Sequence, residues 1–210
     1  YSFLTTYYDD ILVLTVSSKM SGTYNAFVQA KNLFKDKNIQ VIDSIQNSAA
    51  EGLLVYQASE LIKSGHSMTE IVTKLESLKH QTKILVSVQT LKYMVRSGRV
   101  KKVVGIAGKI LNLKPVISID DEGNGIIFDK AFSQKMSDKK IFKHIAAVVK
   151  DHGIDSYALV HVNAPERATL YEQMMIKLTG SKPLYISDIS TIIAMNSGIG
   201  TVAVAYIRKD

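Results

Sequence analysis

Ile11-Leu12-Val13-Leu14-Thr15-Val16 is a run of β-formers that is apolar on both faces, and a hydroxyl-rich turn follows it at once. A strand of that kind has no side to show to water. It belongs in a sheet covered by helices on both sides, which in practice means a parallel layer. After the turn, Phe27, Ala30 and Phe34 recur at helical spacing. Gln40-Val41-Ile42-Asp43 then predicts a second strand, and Leu53, Leu54, Ala58, Leu61 and Ile62 predict an amphipathic helix stopped by Gly65. Ser67-Met68-Thr69-Glu70 has capping-box spacing and leads a helix whose face carries Ile71, Val72, Leu75 and Leu78. The order β-α-β-α-α predicts a parallel α/β layer.

A second block starts near Thr82. Strands are predicted over 83–89, 114–119, 126–131, 157–162, 184–187 and 201–207. Between them lie helical stretches at 91–95 and 103–111, a helix carrying Ile141, Ile145, Val148 and Val149, and one opened by Pro165. The expected fold class is therefore α/β with two lobes, meeting near residue 81 and without internal repeats. The first (1–81) is a parallel-sheet, three-layer lobe, and the second (82–210) is built on a mixed six-stranded sheet. The chain opens on Tyr1-Ser2-Phe3-Leu4, already apolar and patterned, as expected of a chain that begins inside a domain.

Composition narrows the chemistry. With 46% hydrophobic and 21% charged residues over 210 positions, the chain can build one large or two small cores and is not disordered. No apolar run approaches the ~18–20 residues of a membrane span, and no secretory leader is visible. The absence of cysteine removes disulfides, thiolate metal sites and cysteine nucleophiles together. A cytoplasmic setting without stable membrane insertion is expected. The net charge of +7 comes mostly from dispersed lysines, with no aromatic-interleaved basic strand of the kind that stacks bases, so no nucleic-acid partner is expected.

Ser17-Ser18-Lys19-Met20-Ser21-Gly22-Thr23 carries the most chemistry. At the carboxyl end of a parallel strand and the start of a helix, such a turn offers free backbone N–H groups and hydroxyl donors to a carboxylate or phosphate. The alternative is plain helix capping by Ser18 or Ser21. No G-x-S-x-G elbow surrounds these serines, which argues against a serine nucleophile. Gly198-Ile199-Gly200-Thr201-Val202-Ala203 matches G-x-G-x-x-A but opens a strand at the end of the chain, so dinucleotide binding is rejected. Gly105-Ile106-Ala107-Gly108-Lys109 lacks the spacing and the hydroxyl of a phosphate loop. The histidines at 66, 80, 144, 152 and 161 are scattered, so no metal site is expected, and His161 is expected in the core or at a sheet edge. Asp120-Asp121-Glu122 is expected to serve a turn. Arg96 and Arg99, flanking Gly98 and followed by Lys101 and Lys102, suit either a helix C-terminus or a grip on a phosphate or an acidic partner.

Taken in order, Val16–Tyr24, Val41-Ile42-Asp43-Ser44, Glu51-Gly52-Leu53-Leu54, Leu91–Arg99, Leu111–Pro115 and Asn196–Gly200 resemble the DegV family of bacterial fatty-acid-binding proteins over essentially the whole chain. The resemblance implies a long-chain fatty acid as ligand, buried in a tunnel between the two lobes, with no other cofactor. It implies a non-catalytic, lipid-carrying subunit that presents the acyl carboxylate to a separate, dihydroxyacetone-kinase-like fatty-acid kinase for acyl-phosphate formation. Carried over, Ser18 foremost, with Ser17, Ser21, Gly22, Thr23 and Asn196, would hold the carboxylate. Arg96 and Arg99 would contact the kinase or a phosphate. The alternative function is an enzyme acting on a phosphorylated or acyl substrate through the Ser17–Thr23 anion site.

The chain departs from the family pattern twice. The family's opening Asp-Ser strand and Thr-Ser-Gln-Pro segment are absent, so residues 1–81 would be the C-terminal part of the first lobe. Asn196-Ser197-Gly198-Ile199-Gly200 also stands where the family usually has His-x-Gly-Pro-Gly, and asparagine cannot titrate.

Overall fold

The structure is a computed structural model that describes residues 1–99 and 113–210. The helix predicted at 103–111, the glycine-lysine fragment at 105–109, and Lys101 and Lys102 lie outside the described residues. Strands β1 (Asp10–Thr15) and β2 (Asn38–Asp43) pair in parallel, from Asp10↔Asn38 to Thr15↔Asp43. Helix α1 (Thr23–Lys31) connects them, and α2 (Ser48–Lys63) and α3 (Met68–Gln81) follow. The predicted capping box is present: the Glu70 N–H donates to Ser67 Oγ at 3.4 Å, and the Ser67 N–H donates to the Glu70 carboxylate at 2.8 Å.

The second sheet holds the six strands expected. They are β3 (Thr82–Ser87), β4 (Val116–Ile119), β5 (Gly125–Asp129), β6 (Ile154–His161), β7 (Ile186–Asp188) and β8 (Val202–Arg208). Their order is β5-β4-β3-β8-β6-β7, antiparallel except for the β6–β7 pair. Helices α4 (Lys92–Ser97), α5 (Gln134–Asp151), α6 (Pro165–Thr179) and α7 (Thr191–Ser197) complete the second block. Among the described residues no helix is long and apolar enough to cross a membrane.

The central strand, β8, explains how the sheet is covered. Val202, Val204 and Tyr206 point to one face and pack with Ile141 and Ile145 of α5 and Tyr171 and Met175 of α6. Ala203, Ala205 and Ile207 point to the other face, where Ala158 of β6 joins them. Large side chains thus fill one layer, while alanines on the opposite face let α2 lie close through Ala49, Ala50 and Leu53. Leu54 and Ala58 of the same helix turn the other way, onto Ile42, Ile71 and Leu75. One helix therefore shares two cores.

Two local expectations change. Phe34 lies beyond α1, which ends at Lys31 with Asn32 as its C-cap. Its ring instead packs edge-on against Tyr1 at 5.6 Å, as Phe27 does from the helix. Helix α7 was not anticipated, because Thr191-Ile192-Ile193 is β-branched and has the local character of a strand. His161 is buried at the end of β6, with Nδ1 3.0 Å from Asp188 Oδ1. The acidic turn is held by Asp120 Oδ1, which accepts the N–H groups of Glu122 at 3.1 Å and Asn124 at 2.8 Å.

The two blocks are also keyed together at Ser17, whose buried hydroxyl donates to Gly123 O at 2.7 Å. Gly123 sits at φ 91°, and a Cβ there would run into Ser17 Oγ and come within 3.3 Å of Ile45 Cα. Gly123→Ala should therefore cost about 2–3 kcal/mol, seen as a lower urea midpoint at unchanged slope. Gly22→Ala, where the added methyl meets open space, should lose far less. Equal midpoints for the two variants would show that the turns do not interlock.

Candidate functional site

The loop that brings α2 to the second sheet is tightly specified. The Asp43 carboxylate, at the end of β2, accepts the N–H of Ser18 at 3.2 Å and that of Ile45 at 2.9 Å. The Ser17 N–H donates to Gln46 O at 2.8 Å, and Gln46 Nε2 reaches Thr82 O at 2.9 Å. Within this frame Ile45 (φ 51°) and Ser48 (φ 53°) are held in the left-handed region, which costs a non-glycine residue about 1–3 kcal/mol. Such strain persists only where the surroundings over-determine it, and here it aims the first turn of α2 at the serine-rich turn.

Between them lies a cavity of about 400 Å³. Its floor is an aliphatic stretch of the sheet: Ile84 and Val86 of β3, Ile117 and Ile119 of β4, and Ala203 of β8. Ile192 and Ile193 of α7 form one wall. Asn47, Ser48 and Glu51 enter from α2, and Met20, Ser21 and Thr23 from the turn. The polar groups gather at the edges of an apolar slot, which is the usual make-up of a ligand site.

The structure distributes the expected site residues unevenly. Ser21, Thr23, Asn196 and Arg99 line the cavity, whereas Ser17, Ser18, Gly22 and Arg96 are not part of its lining. The Ser17 hydroxyl is engaged with Gly123 O and also accepts the Lys19 N–H at 3.2 Å. Ser18 contributes its backbone N–H to Asp43. Ser21 Oγ and Thr23 Oγ1 are 2.7 Å apart, and Ser21 Oγ accepts the Thr23 N–H at 3.2 Å, so this serine both supports the start of α1 and faces the cavity. Gly22 is the N-cap of α1, without a side-chain cap. Asn196 donates through Nδ2 to Ile192 O at 2.8 Å within α7. Arg96 is exposed in the last turn of α4, which ends at Gly98 in the left-handed region. Arg99, just beyond, donates to Ser97 O at 2.9 Å.

Two features escaped the sequence reading. The first is Glu51, which lines the cavity and whose carboxyl is pushed up to about 7 by burial. Among the described residues the carboxyl has neither hydrogen bond nor ion pair. The available signal was that Glu51 is the one charged side chain between Asp43 and Glu60. The second is a polar cluster on the opposite face of the sheet. There Asp138 accepts from Ser87 Oγ at 2.8 Å, Arg167 Nη2 at 2.8 Å and Tyr171 OH at 2.6 Å. Burial and the adjacent carboxylate push the Tyr171 hydroxyl well above the usual phenol range. Arg167 Nη1 also donates to Gly200 O, tying α5 and α6 to the loop after α7.

Glu51 carries a pH prediction. A carboxyl raised in the folded state binds more protons there than in the unfolded chain, so stability falls as pH rises from the ordinary glutamate value of 4.5 through about 7. In Glu51→Gln that component of the decline should vanish, as read from urea midpoints at pH 5 and pH 8. An identical decline in the variant would remove Glu51 as its source.

Comparison with known proteins agrees with the fold. The family model described as an uncharacterised protein of the DegV family matches residues 1–209. A DegV domain-containing protein of Staphylococcus aureus is 30% identical over 200 residues, covering 95% of this chain and 71% of that protein. A stearic-acid-binding protein from Eubacterium ventriosum superposes with a TM-score of 0.89 at 24% identity, over 99% of this chain and 73% of its own. A DegV family protein from Thermus thermophilus, described by its fatty-acid binding, gives 0.87 at 25% identity over 99% of this chain and 74% of its own. With the family model matching residues 1–209, which include both sheets and the residues that line the cavity, this chain belongs to the DegV family.

Proposed function

We propose that the chain binds a long-chain fatty acid in the cavity between α2, the second sheet and α7, and acts as a carrier rather than a catalyst. The observation that carries this reading is the slot itself, with aliphatic side chains along its floor and wall and a hydroxyl pair and an arginine at its edge. The fatty acids held by family members of the same fold support it.

Magnitudes assign the roles. Roughly ten buried methylenes contribute about 8 kcal/mol, against at least about 4 kcal/mol for immobilising the ligand. A hydrogen bond to the carboxylate adds about 1.5–3 kcal/mol. The tail therefore supplies the largest gross contribution, and the polar edge sets which end faces out. One hydroxyl of the Ser21–Thr23 pair donates to the other, so the pair supplies one O–H donor, with Arg99 the counter-charge and Asn196 lining the same cavity from α7. In the carrier reading a separate kinase phosphorylates the carboxylate held at this edge, and exposed Arg96 offers that partner a cationic contact. Acyl phosphate formed this way never requires a nucleophile from this chain.

Organic extraction and mass spectrometry of the purified protein should recover about one fatty acid per folded chain. The stripped protein should rebind a fluorescent fatty acid, and Ser21→Ala combined with Thr23→Ala should weaken that binding about tenfold or more. Ser18→Ala should weaken it less. A clean blank from folded protein that also fails to rebind the probe would overturn the carrier reading. Loss of binding on Ser18→Ala with the double variant unaffected would move the head group to the other side of the turn.

A further inference from the structure

Glu51 makes the cavity unlike a plain hydrocarbon tunnel. Its carboxyl enters from the first turn of α2 and has no donor among the described residues. The cavity that Glu51 lines also carries a row of aliphatic side chains, with Ile189, Ile192 and Ile193 on the α7 side and Ile84, Val86 and Ala203 on the sheet. An unsubstituted acyl chain laid past this group strips water from it and returns no hydrogen bond, which is the costly way to bury a polar group. A chain bearing a hydroxyl donates O–H to it and removes that cost. The ligand's own carboxylate is an unsuitable neighbour for Glu51, since two anions repel, and it has Arg99 and the Ser21–Thr23 pair to meet it.

We infer that Glu51 is a specificity-determining residue that selects acyl chains carrying a hydroxyl group over unsubstituted ones. The inference rests on the reading of this cavity as the acyl site. The burial that pushes Glu51 up to about 7 fits the same picture, because the ionised carboxyl lacks the solvation that a ligand hydroxyl would restore.

The test is displacement of a fluorescent fatty acid from the lipid-stripped chain by octadecanoic acid and by monohydroxy-octadecanoic acids differing in hydroxyl position. In the wild type at least one positional isomer should outcompete the parent acid about tenfold, the discrimination expected where a buried acceptor is otherwise left unpaired. In Glu51→Leu the order should reverse, with the parent acid binding more tightly than it does to the wild type. Glu51→Gln, which keeps an acceptor of the same size, should retain part of the hydroxyl preference and guards against a folding defect in the leucine variant. The inference fails if every isomer binds no better than the parent acid, or if Glu51→Leu weakens both ligands alike. Failure of all the acids to displace the probe would instead bring down the acyl-site reading, and the inference with it.

Discussion

Helix α2 is the member on which the structure turns, because it is packed from both sides. Leu54 and Ala58 close the core beneath the two-stranded sheet, and Ala49, Ala50 and Leu53 close the core above the six-stranded one. A helix shared in this way has little freedom to rotate, since turning one face into better contact opens a gap on the other. Its small residues permit the double contact. Gly52 lets the Tyr185 hydroxyl approach the helix backbone, where it donates to Ala49 O at 3.2 Å, and a side chain at position 52 would run into that hydroxyl. The cavity lies beside the first turn of this helix, so its width follows from how closely alanine on α2 and alanine on the sheet approach each other.

The remaining walls are set by equally specific contacts. The Asp43 carboxylate and the Gln46 carbonyl hold the serine turn to the loop before α2 by accepting backbone N–H groups. Arg167 secures the loop after α7 through Gly200 O. Gly198 and Gly200, at φ 85° and 83°, carry the chain from α7 into β8 past the Tyr93 ring and the Gln89 side chain, where any Cβ would be crowded. The site is thus formed by short connections, held by polar groups, around an aliphatic sheet face. That division suits a carrier: the regular elements make room for a tail, and the connections place the few groups that orient its head.

Much of the fold could be read from residue pattern. The six strands of the mixed sheet, the capping box at Ser67 and the strand-turn-helix at residues 11–31 follow from periodicity and local hydrogen-bonding chemistry, which act over a few residues. Helix α7 was missed because its β-branched start is strand-like locally, and packing decides otherwise. The site was legible in outline only. Ser21 and Thr23 belong to a turn whose composition announces polar work, but which hydroxyl faces the cavity depends on Gly123, 106 residues away along the chain from the Ser17 hydroxyl it engages. Glu51 carries little functional signal in the sequence, because a single carboxylate in a helix is ordinarily a solvent-facing residue. Only the placement of two sheets around α2 turns it inward.

The most direct test of the acyl-cavity reading is a crystal structure of the chain grown with a saturated long-chain fatty acid. Continuous ligand density across Ile84, Val86 and Ile117, ending in a carboxylate at Ser21, Thr23 and Arg99, is the expected result. Ligand density on an outer surface, with the slot between α2 and α7 closed by its own side chains, would contradict it.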